Sequence, residues 1–363
     1  MKTKLALITG MFCMIVAGNV SAITFNSFVT SSELSSAVGG NDAIGFAYAG
    51  NKFVGSVYFN NQLYQTDLAG NSVQAFGAPL PISSGSAGEI YVSSSLGLGG
   101  FASRSIFAGS QSFGTVWTYA NGATNLTAAT QFVTGLTGGV RSIAFDPYGN
   151  YNNDMIVATS LGRIYRVNAA GVATEIANLG LDTEGLDFTP QAFGPFGAGT
   201  LIVLSEGDGR VRAVSPTGAV TDLGLQFNTP EMLSFVPLDF SLTLDPLAGF
   251  YAARYPTEVV KASASEFASY AGQAVITEEN THDLYSISWN GTSFAKTFIG
   301  NFGGQPEDGI FVTAAIINPG CTTQPGGCGG GTVSEPSSMP LAGLGLLLGG
   351  FGFLRRRTLH LRH

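Results

Sequence analysis

Two stretches of this chain spell the same succession of four short segments. The first runs Val140-Arg-Ser-Ile-Ala-Phe-Asp-Pro147, Met155-Ile-Val-Ala-Thr-Ser160, Gly162-Arg-Ile-Tyr-Arg-Val167, a turn Asn168-Ala-Ala-Gly171, and Val172-Ala-Thr-Glu-Ile-Ala177. The second runs Glu184-Gly-Leu-Asp-Phe-Thr189, Gly199-Thr-Leu-Ile-Val-Leu-Ser205, Gly209-Arg-Val-Arg-Ala-Val214, a turn Ser215-Pro-Thr-Gly218, and Ala219-Val-Thr-Asp-Leu223. Segments of five or six residues, rich in β-branched side chains and bounded by Gly, Asn and Asp, are strands. Four antiparallel strands repeated at a fixed period are sectors of a closed ring, because one such sector cannot bury both its faces alone.

Fainter copies keep the third strand and its turn: Gln62 to Gly70, Thr115 to Gly122 and Asp283 to Gly291. The turn glycines at 70, 122, 171 and 218 are spaced by 52, 49 and 47 residues, and the next interval, to 291, is 73. The expectation is an all-β propeller of five or six four-stranded blades over residues 23–317. One blade carries an insertion within Tyr255 to Gln273, whose Glu258-to-Ala268 portion is the best helix candidate. Gly309 to Ala314 would close the ring with N-terminal strands near Ala43 to Ala49. Ile156, Ile164, Val167, Ile202, Leu204, Val211 and Val214 should pack between blades. A β-sandwich explains the alternation but not the repeated strand order. The third-strand wording resembles the six-bladed NHL-repeat and gluconolactonase-like proteins, chiefly over Gly139 to Leu223.

The two ends carry a different kind of information. Lys2 and Lys4, the apolar Leu5 to Ala17 and the small-residue site Val20-Ser21-Ala22 form a secretory signal, with cleavage after Ala22. At the other end, Ser334-Glu335-Pro336 precedes an apolar run, Leu341 to Leu354, and the basic stop Arg355, Arg356 and Arg357. That run covers only about 21 Å as a helix, short of a roughly 30 Å hydrocarbon core. Counting from Ser337 gives a segment of 18 residues, 337–354, that can span with snorkelling arginines. This order of parts resembles the PEP-CTERM sorting signal of Gram-negative bacteria that make extracellular polysaccharide. The family usually has Pro where Ser334 stands. The resemblance implies that exosortase, a membrane-embedded protease, recognises Ser334, Glu335 and Pro336 and cuts near them. It further implies an inner-membrane intermediate, then release to the cell surface or extracellular matrix. The organisation is thus 1–22 signal, 23–317 propeller, 318–333 Gly/Cys-rich linker and 334–363 sorting tail.

Without the signal and the tail arginines, ten basic residues face 24 acids, a balance of −14. No basic stripe remains to hold phosphates, which argues against nucleic acid as a partner. Cys321 and Cys328 enclose Thr-Thr-Gln-Pro-Gly-Gly, and in an oxidising compartment they form a small disulfide loop.

The chemistry-bearing residues are few. His282 is the one histidine of the processed chain, and no Gly-x-Ser-x-Gly elbow accompanies it, so a hydrolase triad is disfavoured. Glu278, Glu279, His282 and Asp283 are the candidate metal ligands, and Ca2+ is the ion they suit. Asp182, Glu184 and Asp187 form a second acidic group; Asp146, Asn150, Asn152 and Asp154 form a third, which also reads as a propeller turn. Glu206-Gly-Asp208-Gly-Arg210 reads as a hairpin turn. The leading functional expectation is a non-enzymatic, exported binding or structural propeller with no cofactor, associated with extracellular polysaccharide. Its rivals are a metal-dependent, lactonase-like propeller hydrolase and a membrane-anchored surface receptor.

Overall fold

The computed structural model describes residues 22–240, 245–313 and 316. The signal segment before Ala22, Cys321 and Cys328, the Ser334-Glu335-Pro336 motif, the apolar run and Arg355 to Arg357 lie outside the described residues. Among those described, no helix is long and apolar enough to cross a membrane.

The described chain begins with β1 (Asn26–Val29) and a short helix α1 (Ser31–Val38). Blade 1 comprises β2 (Ala43–Tyr48), β3 (Phe53–Val57), β4 (Leu63–Thr66) and β5 (Gln74–Phe76). Blade 2 comprises β6 (Ile90–Ser94), β7 (Ile106–Ser110), β8 (Thr115–Tyr119) and β9 (Thr130–Thr134). The two clear repeats are blade 3, β10 (Val140–Phe145), β11 (Met155–Thr159), β12 (Arg163–Val167) and β13 (Ala173–Asn178), and blade 4, β14 (Leu186–Phe188), β15 (Leu201–Ser205), β16 (Arg210–Val214) and β17 (Val220–Gln226). Each is an antiparallel meander in chain order.

The last two blades are interlaced. The chain lays down β18 (Pro230–Phe235), the inner strand of blade 5, and then leaves. It forms the hairpin β19 (Gly249–Tyr255) and β20 (Glu258–Ser263), followed by one helical turn, α2 (Ala264–Phe267). It returns to complete blade 5 with β21 (Ala274–Glu278), β22 (Asp283–Trp289) and β23 (Phe294–Asn301). Finally β24 (Gln305–Val312) becomes the inner strand of blade 6, whose order is β1-β20-β19-β24. Six separate four-stranded sheets exclude a two-sheet sandwich. The inner strands β2, β6, β10, β14, β18 and β24 neighbour one another around the axis.

Three sequence expectations change. Glu258 to Ala268 is mostly strand, because Val259, Val260 and Ala262 are wanted in the wall of blade 6 and are fully buried there. The long glycine interval arises from the β19–β20 excursion into the neighbouring blade. Ring closure uses β1, paired to β20 on the outer edge, while Ala43 to Tyr48 forms the inner strand of blade 1. The helix α1 carries a signature that went unread: Thr30 Oγ1 accepts from Glu33 N at 3.3 Å, and Glu33 Oε2 accepts from Thr30 N at 2.8 Å. This reciprocal capping box starts the helix, and Gly39 at φ 77° ends it.

Packing follows the expected rule. All seven predicted inter-blade residues are fully buried. Each core cluster mixes neighbouring blades, as where Phe107 and Val116 of blade 2 meet Val140 and Val157 of blade 3. Burying each such side chain contributes about 1.5–3 kcal/mol. The turn glycines at 70, 171 and 218 lie against the preceding blade, whereas those at 122 and 291 face open space. A Cβ on Gly171 (φ 76°) would lie 2.3 Å from the Phe132 carbonyl oxygen of β9, and one on Gly218 (φ 88°) would lie 2.0 Å from that of Ile176 in β13.

Candidate functional site

Inner strands begin at one end of the central channel, where Glu89, Arg141 and Glu184, at or just before three of those starts, meet in one ion-pair network. Five of the six present a charged residue with phenylalanine four positions on: Asp42/Phe46, Arg141/Phe145, Glu184/Phe188, Glu231/Phe235 and Glu307/Phe311. Blade 2 keeps the charge, Glu89, with Ser93 in place of the aromatic. The phenylalanines are buried in the junctions between blades and, on the same strand face as the charges, line the channel cavity together with Arg141, Glu184, Glu231 and Glu307.

Arg141 is the hub of this end. Its Nη1 pairs with Glu89 and its Nη2 with Glu184; Nη2 also meets Glu206 Oε2 at 2.8 Å, and Nε faces Asp182 Oδ1 at 3.2 Å. Nη1 further donates to Tyr91 Oη at 3.0 Å and Gln111 Oε1 at 3.1 Å. Tyr91 Oη in turn reaches Glu89 Oε2 at 2.6 Å and bonds Glu184 Oε1. A second arm runs through Gln305, whose Nε2 donates to Glu279 Oε1 at 2.8 Å and Glu307 Oε1 at 2.9 Å. Glu307 Oε2 is buried and takes no hydrogen bond from the protein.

Among the described residues, seven carboxyl groups therefore surround one guanidinium: those of Glu89, Asp182, Glu184, Glu206, Glu231, Glu279 and Glu307. Burial pushes Glu184, Glu231 and Glu307 well above the ordinary carboxylic range, with Arg141 opposing each shift. Glu231 stands beside Glu184, and its negative charge adds to the rise at Glu184. Burial likewise raises Asp182 to about 6 against the pull of Arg141. Burial works against the charge on Arg141 itself, but Glu184, Tyr91 and Glu89 outweigh it and keep the guanidinium protonated. Carboxyl oxygens of Glu184, Glu206 and Glu231 lie within 4.8 Å of one another, a spacing that can hold a cation.

Beyond this floor lies a cavity of about 400 Å³ that Tyr91, Arg141, Glu184, Glu231 and Glu307 help to line. Ser93, Ser142 and Ser234 form part of its wall, and Tyr48, Arg104 and Tyr148 stand further along. Asp187 and Asp308 also line it, but their oxygens hold the ring together. Asp187 Oδ2 accepts the N–H of Phe235 in blade 5 at 2.7 Å, and Asp308 Oδ2 accepts that of Phe46 in blade 1 at 3.2 Å. Burial raises their pKa values to about 6 and about 7.

The sequence-derived metal set is dispersed. Glu278 accepts from Asn228 N at 2.9 Å and Thr281 Oγ1 at 3.0 Å, while His282 occupies a turn at φ 59° and its carbonyl accepts from Phe302 N at 2.7 Å. Asp283 accepts from Asn301 Nδ2 at 3.0 Å. Of the four, Glu279 alone joins the channel cluster, through Gln305. In the second acidic group, Asp182 and Glu184 meet at Arg141, whereas Asp187 bridges blades. In the third, Asp146 is filled by four backbone N–H groups, from Tyr148, Gly149, Tyr151 and Asn153, which makes it the organiser of a turn. Asp154 pairs with Arg166 at 3.2 Å. Arg141, Glu89, Glu231 and Glu307 escaped sequence reading, as did the role of Glu206.

The chain matches no protein-family profile and no curated protein. Among solved structures, it is similar to the PQQ-bound aldose sugar dehydrogenase of Streptomyces coelicolor, at 14% identity and a TM-score of 0.49, over 80% of this chain and 89% of that one. It is also similar to an inactive variant of virginiamycin B lyase from Staphylococcus aureus with quinupristin, at 11% identity and 0.47, over 78% and 92%. A putative gluconolactonase gives 10% identity and 0.44, over 79% and 94%. The blade count rests on this chain's own strand pairing, six sheets of four strands arranged about one axis.

Proposed function

We propose that this chain is an exported, non-enzymatic binding propeller that takes a small ligand into its channel cavity. The observation that carries the reading is Arg141, which fills the point where the channel carboxyls converge and forms a rigid charged floor beneath the cavity. Among the described residues, the cavity wall contains no histidine, cysteine or lysine, so its serines have no imidazole or amine base beside them. The test is a ligand screen by thermal shift on wild type and Arg141→Met. A ligand that stabilises wild type alone supports the reading; turnover of any lactone by the wild-type protein defeats it.

Delivery rests on the two ends of the sequence. The Lys2-to-Ala22 signal would route the chain out of the cytoplasm, and Ser334-Glu335-Pro336 would be read by exosortase while residues 337–354 hold it in the membrane. Release would place it at the cell surface or in the polysaccharide matrix. Mass spectrometry of protein from cells and medium, with and without Glu335→Ala, tests this. Cleavage near the motif that is lost in the variant is the expected result; an intact tail in both fractions, unaffected by the substitution, refutes it.

A second reading, a metal-dependent lactonase-like hydrolase, is favoured by the closeness of Glu184, Glu206 and Glu231. Those three residues, rather than Glu278, Glu279, His282 and Asp283, would then hold a Ca2+ ion. Calorimetric titration with calcium separates the two readings, since Arg141 must be displaced before the ion can enter.

A further inference from the structure

The charged floor contains an imbalance that identifies the class of ligand. One guanidinium answers seven carboxyl groups, so the floor holds more carboxyls than it has cations to pair them. Glu307 is only 2% exposed, its Oε1 is taken by Gln305, and its Oε2 has no donor. A buried carboxyl oxygen without a donor is costly to maintain, and a ligand that supplies the donor recovers that cost. Glu307 and Glu231 both belong to the cavity wall.

A positively charged N–H donor is the group that would complete Oε2 and hold Glu307 ionised against the burial that otherwise keeps its proton on. A single vacant acceptor suits one N–H, whereas a calcium ion requires six or more oxygens. Arg141 already stands between Glu184 and Glu206, so a metal centred there would meet a like charge. Above the floor, Ser93, Ser142 and Ser234 line the same space among apolar side chains that include Phe145, Phe188 and Phe235. A volume of about 400 Å³ falls in the range of small-molecule sites.

We propose that the cavity binds a small primary amine on a polyhydroxylated skeleton, the chemistry of an amino sugar. Its ammonium faces Glu307 and Glu231, and its hydroxyls face the serine wall. The inference rests on the binding reading above and narrows it. The test is isothermal titration of the full chain at pH 7 with glucosamine, N-acetylglucosamine and glucose, and with calcium chloride in parallel. Glucosamine is expected to bind at least tenfold more tightly than the two neutral sugars. Glu307→Gln should abolish that preference while the unfolding midpoint is kept or raised, because the substitution removes an ionisable group from a buried position and preserves shape. If that variant fails to fold, Ser142→Ala serves instead, and it should weaken glucosamine severalfold. Equal affinity for all three sugars overturns the amine but leaves a binding protein. Heat from calcium alone, or from none of the four, overturns the inference. Lactone turnover lost in Glu231→Gln would remove the binding reading itself.

Discussion

Asp187 of blade 4 reaches across a junction to accept the backbone N–H of Phe235 in blade 5, while its other oxygen accepts that of Phe188 in its own strand. A carboxyl with two acceptors thus closes two backbone valences in the least hydrated part of the ring. Asp187→Asn keeps the shape but leaves one acceptor for two donors. The expected loss is about 1–3 kcal/mol, the cost of a buried unsatisfied donor, read as a lower denaturant midpoint with an unchanged slope.

Acidity should stabilise this protein between neutral pH and about pH 4. Asp187, Asp308 and Asp182 titrate in the fold at about 6, 7 and 6, all raised from 3.8. Groups raised in this way are protonated in the folded chain at pH values where the unfolded chain has released the proton. Their contribution is therefore present below about pH 4 and is lost as pH climbs through 6 and 7. A tenfold difference in proton affinity between the folded and unfolded chain is worth about 1.4 kcal/mol. Thermal melts from pH 8 down to pH 5 should move upward; a flat or falling midpoint contradicts the assignment.

Removing the hub should cost more than removing any one carboxyl. Arg141→Met leaves buried carboxyls without their cation, and breaking a buried pair in this way costs about 3–5 kcal/mol. The deficit should shrink at pH 5, where Glu184, Glu231 and Glu307 hold protons in any case. A deficit independent of pH, measured by urea unfolding at both values, would count against the electrostatic account.

Two glycines of similar sequence context should behave differently. Gly218→Ala forces a side chain into left-handed backbone against the Ile176 carbonyl oxygen, an expected loss of about 1–3 kcal/mol. Gly122, the corresponding glycine of blade 2, has open space where its Cβ would go. Gly122→Ala should stay within about 0.5 kcal/mol of wild type.

Truncation offers a coarser check. β1 is the outer strand of blade 6 and pairs only with β20. Deleting residues 26–29 uncovers the β20 edge, an open template for pairing with another chain. Aggregation on gel filtration is expected, and a monomeric, cooperatively folding deletion would show that β1 is dispensable.

The two central blades were legible because alternation, turn residues and strand order agreed there, and the structure reproduces them strand for strand. Glu258 to Ala268 misled because its alanines and charged residues suit a helix locally, while the demand of blade 6 for buried Val259 and Val260 is a tertiary one. The channel cluster was legible only in part. Asp182 and Glu184 stood out as acids close in sequence, but Arg141 and Glu231 are single charges in otherwise apolar strands, and Glu307 stands beside Asp308. Their signal, a charge followed four residues later by phenylalanine, emerges only once the inner strands are aligned on the axis. Local acidity pointed instead to Glu278 through Asp283, where closeness along the chain is not convergence in space.

Because β19 and β20 are threaded out of the middle of blade 5, the last third of the chain cannot be assembled one sector at a time. Blade 5 is complete only when β23 has been made and blade 6 only when β24 follows, so the growing chain must hold β18 in waiting while a neighbour is begun. Gene duplication of one repeat length can add a sector among the first four, but in this region it would copy parts of two. The lineage is free to vary its ring size on one side of the circle and is locked on the other.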